Sequence, residues 1–391
     1  MDIIILANFC MDFSESDNGR FSYLADMLSK EHDVEIVTSD FLHTTKQHRG
    51  KISPHAYRIT LIHEPGYKKN VSLSRFFSHY MWGRNVARYI ETRNKPDVIY
   101  CAVPSLTAPQ RVADYCSRNN IRFVIDIQDL WPEAFQMVIN APFLFLPFKK
   151  KANRIYSQAD AICAVSNTYV ERALESNKKC QNGITVFLGT ELEIFDKYSK
   201  SSPIREKPKD EIWISYCGTL GSSYDLTCVF EALLMLKKKN IEPKFVIMGD
   251  GPRKDEFERY AKERQLNVEF VGRLPYDQMC SLLVKCDINV NPIAHLAAQS
   301  IINKHADYAA SGLPVVSTQE NEEYRSLVEE YEMGFNCENS NPADMAEKLE
   351  RLIKNKELRE RLGRNARRCA EERFDRKKTY QSLCYAIIGV K

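Results

Sequence analysis

The sequence contains neither a long apolar run nor a closely spaced cysteine pair. Its longest strongly apolar segment, residues 141–148 (APFLFLPF), is far shorter than the roughly 20 residues that a membrane span needs. The first residues, MDIIILANF, lack the basic region of a signal peptide and are typical of a buried strand. The 12 cysteines are scattered without a C-x-x-C pair, which favours reduced, mostly buried thiols. We therefore expect a cytoplasmic chain that does not cross a membrane.

Patterns typical of metal ions, repeats and nucleic acid are also missing. There is no clustered aspartate motif or metal-spaced histidine pair, so we expect no metal. We find no solenoid repeat, low-complexity tract or nucleic-acid-binding signature. The net charge of +3 is small, but residues 46–95 hold eleven Lys or Arg against two Glu, with seven aromatics among them. That stretch is either a solvated basic face with core aromatics or a surface for an anionic membrane or a diphosphate-bearing lipid.

What is present is an alternation of short apolar runs and helical patterns along 391 residues. This rhythm predicts repeated βα units with parallel sheets covered on both faces. It is interrupted by a polar, proline-containing stretch at residues 198–210 (YSKSSPIREKPKD), which is typical of a linker. We expect two doubly wound α/β domains, in which ligands bind at the carboxyl ends of the strands.

The most informative segment is residues 299–320 (QSIINKHADYAASGLPVVSTQE). It predicts a helix with Ser300 as N-cap, a left-handed end at Gly312 and then a buried strand. Lys304 and Asp307 lie near the start of this helix, where free backbone N–H groups attract anions. The segment is either an ordinary amphipathic helix or the phosphate-binding corner of a nucleotide-sugar site.

Three further loops follow strands of the same predicted sheet. Glycines in the first two allow a ligand to approach the backbone closely, and an arginine in the third adds positive charge. Their residues of interest are Gly218, Thr219, Leu220, Gly249, Gly251 and Arg273.

The chain resembles retaining glycosyltransferases of family 4, of the bacterial surface-polysaccharide type. The resemblance rests on the order of eight pieces over nearly the whole length, from DNGR at residues 17–20 to NKxxDYxxxGLPVV at 303–316. The pieces between them are PDVIY (96–100), DLWPE (129–133), ADAICAVS (159–166), YCGTLG (216–221), VIMGDGP (246–252) and VEFVGRLP (268–275).

The resemblance implies a GT-B fold, in which two Rossmann-like domains face each other across a cleft. It implies an acceptor-binding domain at 1–200, a linker at 201–210 and a nucleotide-sugar-binding domain at 211–371. Residues 372–391 would form a C-terminal helix that packs back on the first domain. The implied reaction is transfer of a sugar, with retention, from a nucleoside-diphosphate sugar to a glycan or a polyprenyl-diphosphate-linked acceptor. A UDP-linked donor is preferred, and no metal or other cofactor is expected.

The family's second-domain helix usually carries two acidic residues eight apart. Here Asp307 stands at the later position and the neutral Gln299 at the earlier one. The family's usual Arg and Lys in the first glycine loop are absent, which leaves Lys304 as the candidate for neutralising the donor diphosphate, with Asn303 beside it. The resemblance implies that Asp307 binds a donor hydroxyl, preferably one on the ribose, and that Gln299 binds a sugar hydroxyl.

In the first domain, Asp129 either positions the acceptor hydroxyl or caps a helix. Asp126 is a second candidate, and Gly19, Arg20 and Gln128 are expected on the acceptor side. The segment FLFLPFKKK (143–151) and the basic stretch together predict peripheral binding to an anionic membrane at the inner face of the cell membrane. The alternatives are a nucleotide-sugar 2-epimerase of the same architecture and a donor-binding pseudoenzyme.

Overall fold

The computed structural model describes the chain except residues 11, 12, 14–18, 51, 53, 71, 134–141, 296, 298, 299, 390 and 391. The chain forms two compact units, the first of Met1–Phe187 with Thr379–Lys391 and the second of Leu188–Lys378. No helix in the described part of the chain is long and apolar enough to cross a bilayer.

The first unit is built on a seven-stranded parallel sheet in the order β5-β2-β1-β6-β7-β8-β9. Its strands, with those of a small hairpin, are β1 Asp2–Ala7, β2 Asp33–Ser39, β3 Phe41–Leu42, β4 Gln47–His48, β5 Arg58–Ile62, β6 Val98–Val103, β7 Arg122–Ile127, β8 Ala161–Ala164 and β9 Ile184–Thr185. Its helices are α1 Arg20–Leu28, α2 Leu73–Thr92, α3 Thr107–Asn119, α4 Pro142–Gln158, α5 Asn167–Leu174 and, near the C-terminus, α15 Gln381–Ile388.

The second unit carries a six-stranded parallel sheet in the order β12-β11-β10-β13-β14-β15. Its strands are β10 Trp213–Cys217, β11 Lys244–Met248, β12 Val268–Gly272, β13 Ile288–Asn291, β14 Val315–Ser317 and β15 Gly334–Asn336. Its helices are α6 Leu192–Ser199, α7 Leu226–Lys237, α8 Lys254–Glu263, α9 Tyr276–Leu283, α10 Asn303–Ala310, α11 Glu322–Glu330, α12 Pro342–Lys354 and α13 Lys356–Cys369, followed by a π-helical turn Ala370–Phe374 and α14 Arg376–Thr379.

The apolar strands are buried on both sides, as their continuous hydrophobic runs predict. Along β1, Ile4 and Leu6 join one core cluster while Ile3 and Ile5 join the cluster on the opposite face. Strands β10 and β11 have the predicted bounds, and the predicted two doubly wound α/β domains are confirmed.

The division of the chain differs from the expected boundaries at 200 and 371. Helix α6 lies in the second unit, where Asp196 forms a bidentate ion pair with Arg367 at 2.6 and 2.8 Å. The predicted linker is also tied to this unit, since Arg205 and Lys207 pair with Glu269 and Asp287. These ion pairs join residues far apart in the sequence, which composition alone does not reveal.

Candidate functional site

The strand order of the second unit reverses between β10 and β13, the place where open α/β sheets bind ligands. The loops that follow these two strands are hydrogen bonded to each other. The Asp225 N–H donates to the Pro292 carbonyl at 2.9 Å, and the Ala294 N–H donates to the Ser223 carbonyl at 3.1 Å. The structure thus brings the first glycine loop and the chain leading to α10 together at one edge of the sheet.

The first two glycine loops touch through their backbones. A Cβ atom on Gly249 would lie 1.8 Å from the Gly218 carbonyl oxygen, and one on Gly251 would lie 2.5 Å from that of Leu220. The Leu220 N–H donates to the Asp250 carbonyl at 2.9 Å, while Leu220 itself is fully buried. Larger residues at these glycines would therefore push the two loops apart.

Lys304 lies in the first turn of α10 and is buried, with 8 % of its surface exposed. Its ammonium lies 4.1 Å from the ring centre of Tyr224 and 5.3 Å from that of Tyr216. Within the described part of the chain, its Nζ has no hydrogen-bond partner. Burial lowers the pKa of Lys304 to about 7, because removal from water disfavours the charged amine.

Asp307 lies one turn further along α10 and is also buried. Its Oδ1 accepts a hydrogen bond from the Tyr276 hydroxyl at 2.8 Å, and the Thr190 hydroxyl also bonds to this carboxyl. Burial raises the pKa of Asp307 to about 6, although both hydroxyls oppose that shift by stabilising the carboxylate. The carboxyl therefore already has two hydroxyl partners inside the second unit.

The start of α10 is set by a buried polar network. The Ile302 N–H donates to His305 Nδ1 at 3.0 Å, and His305 Nε2 lies 2.7 Å from Gln319 Oε1. Asn291 donates to the same Gln319 oxygen at 2.9 Å. Ser300 is thus not the N-cap; Ile302 is, because the histidine ring does the capping. The predicted left-handed Gly312 is confirmed by its φ of +67°.

The other predicted residues of this unit are spread around the same edge. Thr219, Arg273 and Asn303 are exposed, and Asn303 opens α10. Gln299 lies outside the described residues. Sequence reasoning did not identify Tyr216 and Tyr224, although both flank the first glycine loop and that position was a usable signal.

In the first unit, Asp129 follows β7 and lies beside a cluster of aromatic and basic side chains. Its Oδ2 accepts a hydrogen bond from Trp131 Nε1 at 3.2 Å, and burial raises its pKa. The Arg75 guanidinium lies 4.7 Å from the Trp131 ring centre, and the His79 ring stacks on Trp131 at 5.7 Å. Burial, with Arg75 nearby, lowers the pKa of His79 to about 3, so this imidazole is neutral. Arg75 and His79 are four apart in the predicted helix, and that spacing could have indicated them.

Of the remaining first-unit candidates, Gly19, Arg20 and Asp126 are buried and Gln128 is partly buried. Arg20 donates through Nε and Nη2 to Asp126 at 2.9 and 3.0 Å, and through Nη1 to the Val186 and Phe187 carbonyls and the Tyr380 hydroxyl. Gln128 donates to the same carboxyl at 2.6 Å. The backbone of Gly19, also buried, caps α1. Arg20 and Asp126, both buried, are thus bound to each other in the interior of the unit.

The two doubly wound units define the GT-B fold, whose members include glycosyltransferases. Residues 197–369 match the family described as glycosyl transferases group 1. An uncharacterized glycosyltransferase of Methanocaldococcus jannaschii, MJ1178, is 26 % identical over 212 residues, which are 54 % of each chain. The chain thus spans about half the length of this curated relative.

Solved structures with the same fold align along the whole chain. HepE of Anabaena, solved in complex with UDP, aligns with a TM-score of 0.68 at 14 % identity and covers 100 % of both chains. WaaG, a glycosyltransferase involved in lipopolysaccharide biosynthesis, aligns with a TM-score of 0.69 at 14 % identity over 99 % of this chain and 100 % of its own. These likenesses confirm the predicted fold.

Proposed function

We propose that the protein transfers a sugar, with retention at the anomeric carbon, from a UDP-linked donor to a glycan or a polyprenyl-diphosphate-linked acceptor in surface polysaccharide synthesis. The observation that carries the proposal is the Lys304 ammonium. It is buried at the switch point of the second sheet and has no hydrogen-bond partner among the described residues. A buried cation without a hydrogen-bond partner favours the binding of an anion.

The donor diphosphate is that anion. Departure of a nucleoside diphosphate leaves negative charge on its oxygens, and preorganised positive groups stabilise that charge. Lys304 supplies one full charge, while the N-terminal end of α10 adds the positive end of the helix dipole. Bound phosphate raises the pKa of Lys304 and keeps the amine protonated. On this account transfer needs no metal. The loop residues Gly218, Thr219 and Gly251 line the donor site with their backbone atoms.

The acceptor is assigned to the first unit. Asp129 would orient the acceptor hydroxyl or accept its proton, because burial raises the pKa of the Asp129 carboxyl toward the range useful for proton transfer. Arg75, whose guanidinium lies over the buried rings of Trp131 and Tyr67, offers charge for an acceptor phosphate.

The first unit also has an apolar surface that supports membrane binding. Leu73 and Phe77 on α2, and Phe143 and Leu144 on α4, expose 60 to 87 % of their surface. A contact between Phe76 and Phe148, with ring centres 5.6 Å apart, places the two helices side by side. Lys149 and Lys150 follow on α4 and are exposed. Apolar side chains flanked by lysines favour peripheral binding to anionic lipid.

The experiment is a donor screen followed by product analysis. Thermal shift with UDP-, GDP- and dTDP-sugars identifies the donor, since a ligand that binds the folded state raises the melting temperature. Proton NMR of the transfer product then gives its anomeric configuration. Stabilisation by a UDP-sugar and a product with the donor's configuration support the proposal; an inverted product overturns retention. Epimerisation at C2 without transfer would indicate the isomerase, and tight donor binding without turnover the pseudoenzyme.

A further inference from the structure

Two histidines and one aspartate meet at the carboxyl edge of the first sheet. Asp40 directly follows β2 and His63 directly follows β5, and these neighbouring strands end in the paired residues Ser39 and Ile62. His48 ends β4, the second strand of the small hairpin. Positions 40, 48 and 63 are too widely spaced in sequence to form a recognisable metal motif, so the fold alone brings them together.

The backbone holds the three residues in place. The Asp40 N–H donates to the Ile62 carbonyl at 3.1 Å, and the Asp40 carbonyl accepts from the Arg49 N–H at 2.6 Å. Asp40 is therefore bonded to the chain next to His63 on one side and next to His48 on the other. The His48 ring also rests on the buried Phe41 ring, with centres 5.5 Å apart. The cluster is preorganised by its strands rather than by its side chains.

The side-chain atoms converge. His63 Nδ1 lies 2.8 Å from Asp40 Oδ2, and His48 Nδ1 lies 3.4 Å from Asp40 Oδ1. One potential ligand atom from each residue lies within 4.8 Å of the others. Ligands bound tetrahedrally at about 2.0–2.1 Å from Zn²⁺ are about 3.3 Å apart. Small side-chain rotations therefore suffice to place an ion between the three atoms.

In the described part of the chain, the two imidazoles are the ion-pair partners that can balance the negative charge of Asp40. Among the described residues, its carboxylate has His48 and His63 as its ion-pair partners. The nearest arginine in the chain, Arg49, directs its guanidinium to the carbonyls of Ser39 and Cys10, at 2.9 and 2.8 Å. The Asp40 Oδ1 accepts one further bond, from the Glu64 N–H at 2.8 Å, which orients the carboxylate.

We propose that Asp40, His48 and His63 bind one divalent transition-metal ion of the Zn²⁺ class through one carboxylate oxygen and two imidazole nitrogens. Two nitrogen ligands disfavour Mg²⁺ and Ca²⁺, which prefer oxygen, and three protein ligands leave a position for water. The half-exposed histidines give the ion access from solvent. This ion site goes beyond the proposed sugar transfer, and its failure leaves that reaction untouched.

The test is metal titration of the full-length protein after removal of bound metal. Calorimetry with Zn²⁺ should give one ion per chain, and Co²⁺ should give visible d–d bands without the intense sulfur charge transfer that a cysteine site would produce. His48→Gln and His63→Gln should each weaken Zn²⁺ binding by at least about tenfold, because each removes one of three ligands.

The matched control is His295→Gln. His295 forms a single pair with Glu320, at 2.9 Å, in the second unit, and no second imidazole joins it among the described residues. This variant should bind Zn²⁺ as the wild type does. Melting curves recorded without metal confirm that all three variants fold. Unchanged binding in both His48→Gln and His63→Gln, an adventitious ion only, or a sulfur-type Co²⁺ spectrum overturns the proposal.

Discussion

Lys304 combines two properties that oppose each other in a folded protein. Its ammonium is buried beside the rings of Tyr216 and Tyr224, yet it has no hydrogen-bond partner in the described part of the chain. Such a group lowers the stability of the ligand-free fold and gains most when an anion arrives. Stability and donor binding should therefore respond to this residue in opposite directions.

Lys304→Met keeps the apolar stem and removes the charge. We expect the ligand-free variant to unfold at a higher temperature than the wild type, by about 2–4 °C for each kcal/mol gained. The Kd for the nucleotide sugar should rise at least about thirtyfold, because a buried phosphate would lose its charged partner. Lys238→Met, on an exposed lysine of the same unit, should change neither quantity. A wild-type Kd in Lys304→Met would contradict the donor assignment.

The same residue gives a pH dependence with a defined sign. The pKa of Lys304 is lowered from 10.5 to about 7 in the folded protein. Between these values the unfolded chain holds a proton that the folded chain lacks, so the contribution of Lys304 to the unfolding free energy rises with pH. Donor affinity should fall as pH rises above about 7, since the free amine must take up a proton to bind. Lys304→Met should lack both contributions, measured as the difference from the wild type by denaturation and calorimetry across pH 6–10.

Asp129→Asn separates a role in transfer from a structural one. The asparagine oxygen can still accept the Trp131 Nε1 hydrogen bond, so the melting temperature should change little. If the carboxylate takes part in proton transfer, kcat at saturating acceptor should fall by about 10²–10⁴-fold. Unchanged turnover would make Asp129 a purely structural residue.

At the residue scale, the sequence indicated a candidate segment but not the partners of its side chains. Lys304 and Asp307 were predicted from the helix start and the family resemblance. Their contacts with Tyr224 and Tyr276 depend on tertiary packing between distant segments, which no local pattern encodes. The same limit explains the wrong prediction of Ser300 as N-cap, because the capping ring of His305 is positioned by Gln319, two residues after the end of β14.

At the scale of structural elements, the contact between the two glycine loops predicts different effects for substitutions at Gly249 and Gly221. Gly249→Ala would force a Cβ atom to within 1.8 Å of the Gly218 oxygen, whereas a Cβ on Gly221 would meet only the Thr219 side chain at 3.6 Å. We expect Gly249→Ala to lower stability by about 1–3 kcal/mol and to abolish donor binding. Gly221→Ala should stay within about 0.5 kcal/mol of the wild type. Chemical denaturation and donor thermal shift measure both; equal effects of the two substitutions would contradict the contact.

The strands were easier to predict than the short connecting elements. Runs such as WISYC and KFVIM are continuous and apolar, and they form β10 and β11 with the predicted bounds. The hairpin β3–β4 was not predicted, because two-residue strands carry too little pattern. That omission also concealed the approach of His48 to Asp40.

For the whole molecule, membrane binding is the property to measure. The double variant Phe77→Ser, Phe143→Ser removes two of the most exposed apolar side chains of the first unit. It should lose most of the wild type's flotation with anionic phosphatidylglycerol vesicles, because burial of each ring in lipid contributes about 1.5–3 kcal/mol. Met235→Ser, an exposed apolar residue of the second unit, is the control and should float as the wild type does. Wild-type flotation that ignores both lipid charge and salt would contradict the proposal.

The first unit is formed by two separate segments of the chain, and this affects the order in which the two units can fold during synthesis. Tyr380, Leu383 and Ile387 are fully buried in the core that also holds Ile3 and Ile5. Arg122 donates to the carbonyls of Ala386 and Ile387 at 2.8 and 3.1 Å. During synthesis on the ribosome, the second unit therefore emerges complete while the first still exposes part of its core. Helix α15, which follows the second unit in the chain, then completes the core of the first unit.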